Sequence, residues 1–509
     1  MMKSIAEIID GAVELFSPMR GIMRRQTRLA LKDIKKRSEI YAAAKSDHLT
    51  GNWLPLNSNI NDIIKASTPI MRARVQQLVR DFPFFKRASD AIVEYSVGPG
   101  IMFQSKVLDR NGDRNKTISR KIEDEFSFWK DEADFSGRMS FDEMMALTKK
   151  QDVEAGEFLV IKHFVRDRKQ RNPFKIQIIE PDWLADSGIA VDPGNEMFQG
   201  VEYSPVTGRI AAYHLVDPNS WGKAMRLPAD RVIHNFEVLR PGQLRGVSPF
   251  AVGVMVAHDL DDYMGAELDG AKMAAKWLAF IRTLDPSVRQ GDLLKKTESG
   301  KRIEGLENAV IEYLGFNETV ELASNPRPGA NFAPFVRLIL CILSIATGVP
   351  YEILSGDYST MNYSSGRMVR NDFAHSLRQI SGRHIRHYCK PIFNEFLEYS
   401  VLSGRLSLPG YMNNPVNYRR AEWIPPGMEP VDPLKEVKAR AEEVKAGLRS
   451  PQEVVGARGR DLEDVYREIA EAKALQKDYD LDFQQINTAL ANNPAAIENQ
   501  KGGGLNEQV

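Results

Sequence analysis

Cysteine is almost missing: the chain has two, Cys341 and Cys389, among 509 residues. Two thiols cannot build a disulfide framework or an all-cysteine zinc site, and such usage suits a reducing compartment. Net charge is missing too, since 68 Lys and Arg balance 68 Asp and Glu. Proteins that clamp nucleic acid by bulk electrostatics carry a basic excess, so that class is excluded. No apolar run reaches the roughly 20 residues that a membrane-spanning helix needs; the longest is Leu338–Val349. At the N-terminus Ile5, Ile8, Ile9, Ala12 and Phe16 share a helical face, but Glu7, Asp10 and Glu14 interrupt the apolar core a secretory signal requires. The expectation is a soluble intracellular product, on which the sequons at Asn115, Asn317 and Asn362 mean nothing for glycosylation.

The common catalytic signatures are absent as well. The nearest approach to a P-loop is Gly300-Lys301, but Lys295 stands where its first glycine belongs and Arg302 replaces the hydroxyl residue. There is no G-x-S-x-G elbow and no H-E-x-x-H. Gly98-Pro99-Gly100 reads as a helix stop rather than half of a dinucleotide fingerprint. His384, His387 and Cys389 cannot converge on a metal from a single helix, so no metal or cofactor is expected. Asp259 and Asp262 share a helical face while Asp261 points elsewhere, which suits a solvated acidic stripe better than a phosphoryl-transfer site.

What is present is a change of apolar period along the chain. A basic stretch (Arg20, Arg24, Arg25, Arg28, Lys32, Lys35, Lys36, Arg37) opens it. Helices are expected over Ile70–Tyr95, broken at Pro83, and around Ile118, Ile122, Phe126 and Trp129. Ser140-Phe141-Asp142-Glu143 is a capping box that starts a helix running to about Glu154. Glu157–Val165, Phe174–Glu180, Arg209–Val216 and Arg231–Phe236 read as strands of a mixed α+β domain.

From the N-cap pair Ser248-Pro249 nothing breaks the helical pattern until Asp285-Pro286, roughly 36 residues or about 54 Å at 1.5 Å per residue. Small residues stud this helix, Gly265, Gly270 and Ala274 among them, and would let backbones approach closely. Its acids Asp259, Asp262, Glu267 and Asp269 are expected to form a stripe. A polar insertion with strand-like Ala309–Tyr313 and Thr319–Leu322 leads to a second helix, Phe332 to about Ala346. A Gly/Ser-rich loop, Ser355–Gly366, precedes a long helix to about Leu402, bent near Gly382 or Pro391. Charged helices then run from Pro433 to about Asp478, one opening at Ser450-Pro451-Gln452-Glu453, and the Asn/Gln/Gly-rich tail from Gln484 is expected to be disordered.

These segments carry a resemblance. His234-Asn235-Phe236-Glu237 through Arg245-Gly246-Val247-Ser248-Pro249 resembles the strand-to-stem junction of lambda-like phage portal proteins. Gly348-Val349-Pro350-Tyr351-Glu352-Ile353-Leu354-Ser355-Gly356-Asp357, followed by Asn362-Tyr363-Ser364-Ser365-Gly366-Arg367, resembles that family's most specific segment, with Gly366 where a bulkier residue is expected. Asp432-Pro433-Leu434, Gly447-Leu448-Arg449-Ser450 and Gly459-Arg460-Asp461 are similar to its C-terminal pattern. The resemblance spans about Arg72 to Leu481.

It implies an α+β, predominantly helical, multidomain portal fold that assembles into a ring, generally of twelve subunits. The divisions would be a basic arm (1–60), a wing (61–247), a first stem helix (248–284), a clip (285–330) and a second stem helix (331–354). A tunnel loop with a long wing helix (355–402), a helical crown (403–483) and a tail (484–509) would follow. Tyr358, Ser359, Thr360, Met361, Asn362 and Tyr363 would lie in the tunnel loop lining the DNA channel. The implied role is a non-enzymatic conduit at one capsid vertex, assembled in the host cytoplasm and away from membranes. Its partners would be the large terminase subunit, head-completion or adaptor proteins, scaffold, major capsid protein and double-stranded DNA without sequence preference. The alternatives are another virion structural or adaptor protein, or a DNA-processing enzyme such as a nuclease or terminase subunit.

Overall fold

A computed structural model describes residues 58–165, 172–185, 188–217, 223–276, 280–283, 318–321, 329–427, 432–456 and 462–479, with Met23, Arg458 and Arg460. The chain divides into two units, Met1–Asp62 and Ile63–Val509. The basic arm, most of the polar insertion with Ala309–Tyr313, and the tail lie outside the described residues.

Helices α1 (Ile60–Asp81) and α2 (Pro83–Ser96) meet at Phe82. The break at Pro83 is where the sequence placed it, but α1 begins ten residues before Ile70 and continues through Pro69. A proline inside a helix removes one hydrogen bond and crowds the previous turn. Burial of Ile64, Thr68, Arg72, Val75 and Val79 along one face offsets that cost. The helix stop at Gly98 holds: its N–H donates to Val93 O at 3.0 Å and its φ is +53°.

Strand β1 (Met102–Ser105), α3 (Lys116–Asp131) and α4 (Phe141–Glu154) follow. The α4 capping box forms in both directions, Glu143 N to Ser140 Oγ at 3.3 Å and Ser140 N to Glu143 Oε2 at 2.7 Å. Then come β2 (Glu157–Phe164), β3 (Phe174–Ile179), β4 (Glu196–Phe198), β5 (Val201–Tyr203), β6 (Ile210–Asp217), β7 (Lys223–Pro228) and β8 (Val232–Phe236). They form two antiparallel sheets, in the orders β3-β2-β8 and β4-β5-β6-β7.

Strand β2 is apolar on both faces because both are covered. Phe158 and Val160 face a helical core with Phe126, Trp129, Phe141 and Phe393, while Leu159 and Ile161 face the second sheet through Tyr213, Leu215 and Leu227. The indole of Trp129 stacks on Phe174 at 5.6 Å between centroids and donates to its carbonyl at 2.8 Å.

The long helix expected from Ser248 is shorter and starts differently. Ser248 Oγ accepts from Phe250 N at 3.1 Å and opens a 3₁₀ turn, Pro249–Gly253, before α5 (Val254–Lys276). Phe280–Thr283, expected to be helical, is strand β9, paired antiparallel with β10 (Glu318–Glu321). That pairing comes from chain 38 residues away, counted from Phe280 to Glu318, and leaves no local signature.

Helix α6 (Phe332–Thr347) ends at Gly348, whose φ of +70° stops it. The second stem helix expected over 331–354 is therefore two pieces, α6 and the short α7 (Tyr351–Ser355). Helix α8 (Tyr363–His384) passes through a π-helical turn, Ile385–Cys389, into α9 (Lys390–Leu402). That irregularity lies between Gly382 and Pro391, the two candidate positions. Pro391 has no N–H to give the preceding turn, and the wider turn absorbs the loss.

The helical unit expected over 403–483 needs a later start. Leu406, Leu408, Tyr411, Tyr418 in α10 (Pro415–Tyr418) and Trp423 in β11 (Ala421–Ile424) are buried in the core of α3, α4 and β2. Strand β11 pairs antiparallel with β1. Beyond β11, the described helices α11 (Pro433–Lys445), α12 (Pro451–Gly456) and α13 (Leu462–Asp478) have no buried residues. A further core joins α1, α2, α5, α6 and the first half of α8 through Phe85, Phe250, Leu260, Leu343 and Phe373.

Candidate functional site

The junction between β8 and α5 is built around one buried carboxylate. Glu157, at the head of β2, accepts from Arg72 Nη2 at 2.7 Å and from Arg245 Nη2 at 2.6 Å. Arg245 Nε lies 3.1 Å from Oε2, Gly246 N donates to Oε2 at 2.7 Å, and His234 Nε2 is 3.0 Å from the same oxygen. Burial pushes the carboxyl pKa up, but Arg245, His234 and Arg72 override it and hold the group well below the usual range. Arg72 reaches on to Asp182 at 2.6 Å, and Arg245 Nη2 donates to Pro181 O at 3.0 Å. Helix α1, β2, β8 and the lead-in to α5 are thereby tied at one point. Ser248 adds a second tie, donating to Val153 O at 2.7 Å at the end of α4.

A second buried group fixes α8. Lys149 and Asp152 of α4 pair at 2.6 Å, and Arg383 bridges Asp152 at 2.8 Å and Glu237 at 2.9 Å. Beside them burial pushes His384 down to about 3. That histidine stacks on Tyr388 at 5.0 Å, so it packs in the core as a neutral ring. Among the described residues no His, Cys, Asp and Glu cluster has the geometry to hold a metal ion, and no helix is long and apolar enough to cross a membrane.

Beyond this anchored root, α5 and α6 leave the core as a helix pair. Val254, Ala257 and Leu260 are buried against α6, and Tyr263 contacts Phe332 and Phe335 at 5.7 and 5.1 Å. No residue from Asp261 to Lys272 is buried. On α6, Phe335, Leu338, Ile342 and Ile345 recur at one-face spacing and are all exposed, Ile345 by 83%. Val252, Met255 and Leu268 add exposed apolar surface at and along α5.

Of the acids expected as a stripe, Asp259, Asp262 and Asp269 are exposed and lie opposite the buried face of α5. Asp262 and Asp269 have same-helix neighbours, His258 at 3.2 Å and Lys272 at 3.0 Å. Glu267 is half-buried and falls at the edge of the face turned to α6, so it departs from the stripe. A side chain at Gly265 would meet nothing within 4 Å, so that glycine serves no close contact inside the chain. Gly270 is half-buried, and the side chain of Ala274 lies outside the described residues.

The loop expected to reach Gly366 is shorter. Asn362 caps α8, accepting from Ser365 N at 2.9 Å, which makes Tyr363 the first helical residue and leaves residues 356–361 as loop. Asp357 organises that loop by accepting from Ser359 N at 3.0 Å and from Tyr351 OH at 3.2 Å, and the Ser359 hydroxyl in particular holds its carboxyl below the ordinary value. Tyr358, Ser359 and Thr360 are exposed and Met361 is half-buried. Arg337 of α6 donates to Thr360 Oγ1 at 3.1 Å, and Lys435 lies 5.2 Å from the Tyr363 ring centroid. At Gly366 a side chain would have ordinary contact with Met361 Cε at 3.6 Å.

The model of the lambda family of phage portal proteins matches residues 46–380 of this chain. The chain belongs to that family. A probable portal protein of Halomonas phage phiHAP-1 is 28% identical over 85% of this chain and 85% of its own length. The portal protein of Escherichia phage N15 is 23% identical over 83% of this chain and 88% of its own. Portal protein B of Escherichia phage lambda is 22% identical over 83% of this chain and 87% of its own. A chain in the neck of an empty gene transfer agent particle aligns over 81% of this chain and 96% of its own, with 13% identity and a TM-score of 0.43. The sequence reading found the portal-family junction motif but missed what it does: Arg245-Gly246 holds Glu157. A carboxylate directly after Gly156 and heading the apolar run Phe158–Ile161 is the signal available in the sequence.

Proposed function

We propose that this portal-family chain is the subunit of a ring at one vertex of a phage head. The ring is the conduit for double-stranded DNA during packaging and ejection. It docks the large terminase subunit and afterwards head-completion or adaptor proteins, and it starts head assembly with scaffold and major capsid protein in the host cytoplasm. The observation that carries the reading is the exposed apolar face of α6, formed by Phe335, Leu338, Ile342 and Ile345. Monomeric proteins seldom leave such contiguous apolar surface in water, and a head-to-tail contact between copies that closes gives a ring. In this reading α5 and α6 are the stem, and the segment between β9 and β10 belongs to the clip. The body from α1 to β8, with α9 and β11, is the wing, and α11–α13 form the crown. Gly270 belongs to the contact with a neighbouring copy.

Imaging of purified protein tests this directly: rings with a central hole are expected, while a monomer at micromolar concentration overturns it. The ring should hydrolyse neither ATP nor DNA by itself. Replacing both Leu338 and Ile342 by Asp is expected to give folded chains that sediment as monomers, because two carboxylates would have to be desolvated at every contact. Rings from that double variant would remove the α6 face from the interface.

The loop supplies a separate test. Deleting Tyr358–Thr360 spares the Asn362 cap, so α8 and the ring should survive while DNA retention in assembled heads falls. Loss of the ring in this deletion would refute the assignment of residues 356–361 as a channel loop.

A further inference from the structure

Helix α8 carries bases that no described residue answers. Arg367 and Arg378 are exposed and Arg370 is half-buried, and among the described residues none of the three has an ion pair or side-chain hydrogen bond. Arg367 and Arg378 stand eleven residues apart, three turns at about 3.6 residues each, so they share a line on the helix. The one acid of α8, Asp372, is not paired to them. Like charges along one helix destabilise it by a small amount, so such a line is a feature that intrachain packing does not require.

The complementary surface is on the same chain. Asp259, Asp262 and Asp269 line the exposed side of α5. From Asp259 to Asp269 is about 15 Å and from Arg367 to Arg378 about 16 Å, at 1.5 Å per residue. Among the described residues no ion pair joins α5 to α8 within the chain. The same-helix partners His258 and Lys272 are themselves exposed, at 60% and 59%, and so compete weakly.

We infer that the Arg367–Arg370–Arg378 face of α8 seats on the Asp259–Asp262–Asp269 face of α5 in the next copy around the ring. The occupant is a second copy of this chain, chosen by opposite charge and equal span. This rests on the ring reading above and adds which surfaces meet and in which order. Because one copy offers α8 and the other α5, the contact is heterologous and repeats around the ring.

That asymmetry gives a specific test. The double variant R367E/R378E has two acidic faces, and D262R/D269R has two basic faces. Each alone should lose rings by about tenfold at physiological ionic strength, since attraction becomes repulsion at every contact. Mixed in equal amounts they should alternate and restore rings to near the parent level, measured by native mass spectrometry with circular dichroism to confirm folding. Recovery on mixing supports the pairing, because neither a folding defect nor a DNA-binding defect is repaired that way. Normal rings from either double variant overturn it. Normal rings from R367E/R378E with weakened binding of a short DNA duplex would show that the arginine face meets phosphates instead. Folded variants that fail alone and also fail together would overturn it too. If the parent itself forms no ring, the portal reading falls first, a result distinct from any obtained with the variants.

Discussion

Glu157→Ala is expected to cost about 3–5 kcal/mol, the usual penalty for breaking a buried ion pair by removing one partner. A typical domain has only about 5–15 kcal/mol in total. The variant would leave Arg72 and Arg245, both almost fully buried, with their shared counter-charge gone. It would also remove the acceptor of the Gly246 N–H. Glu157→Gln should be milder. Its amide oxygen can still accept from the two arginine Nη2 groups, and its NH₂ can donate to the other tautomer of His234. That NH₂ would also meet the Gly246 N–H and Arg245 Nε, which cannot accept, so part of the loss remains. The pH dependence has a defined sign. A carboxyl held below its ordinary value contributes stability above a pH of about 4.3 and loses it as the pH falls through the depressed value. The gap between the parent and Glu157→Gln should therefore narrow in acid. Thermal melts across pH measure both effects, and an alanine variant within about 1 kcal/mol of the parent would show that the junction does not depend on this carboxylate.

The fold could be read where its causes are local. The Ser140 capping box, the Gly98 stop and the doubly covered strand β2 each carry their reason within a few residues. Strands β1, β4, β5, β7 and β11 do not. Glu196-Met197-Phe198 and Val201-Glu202-Tyr203 are short and mixed in polarity, and they become strands only because each finds a neighbour to pair with. The end of α5 failed for the same reason: residues 277–284 have helix-compatible composition, and pairing of Phe280–Thr283 with a distant segment decides against it.

The site divides along the same line. Motif order along the chain pointed to the family, and apolar spacing pointed to helix α6, because both are sequence-local patterns. The Glu157 junction joins residues 85 and 88 positions apart, so no window of sequence contains it. Tyr363 was misplaced for a subtler reason. Ser364-Ser365-Gly366 has loop composition, yet the reciprocal hydrogen bonds between Asn362 and Ser365 start a helix there. Cap chemistry outweighs low propensity when the following residues Phe373 and Leu377 have a core to enter.

Gly156→Ala should be among the most damaging glycine-to-alanine changes at the described residues. Gly156 has a φ of +82°, and a Cβ there would stand 2.1 Å from the carbonyl carbon of Val247 and 2.3 Å from Ser248 N. The reverse approach is as tight, since a Cβ on Gly246 would meet Gly156 O at 2.2 Å. Both obstacles are backbone, so no side chain can rotate away. Any shift would pull Gly246 N off Glu157 and Ser248 Oγ off Val153 O, undoing both ties that aim α5 out of the body. Positive-φ strain alone is about 1 kcal/mol or more, and the backbone clash should carry the total beyond about 4 kcal/mol. Gly265→Ala is the matched control: it sits mid-helix with open space, and there alanine should stabilise by about 0.5–1 kcal/mol. Soluble yield and melting temperature of the two variants distinguish a packing requirement from a general intolerance of alanine for glycine. If Gly156→Ala melts within a few degrees of the parent, the two backbones are not locked together, and α5 takes its direction from the helical core alone.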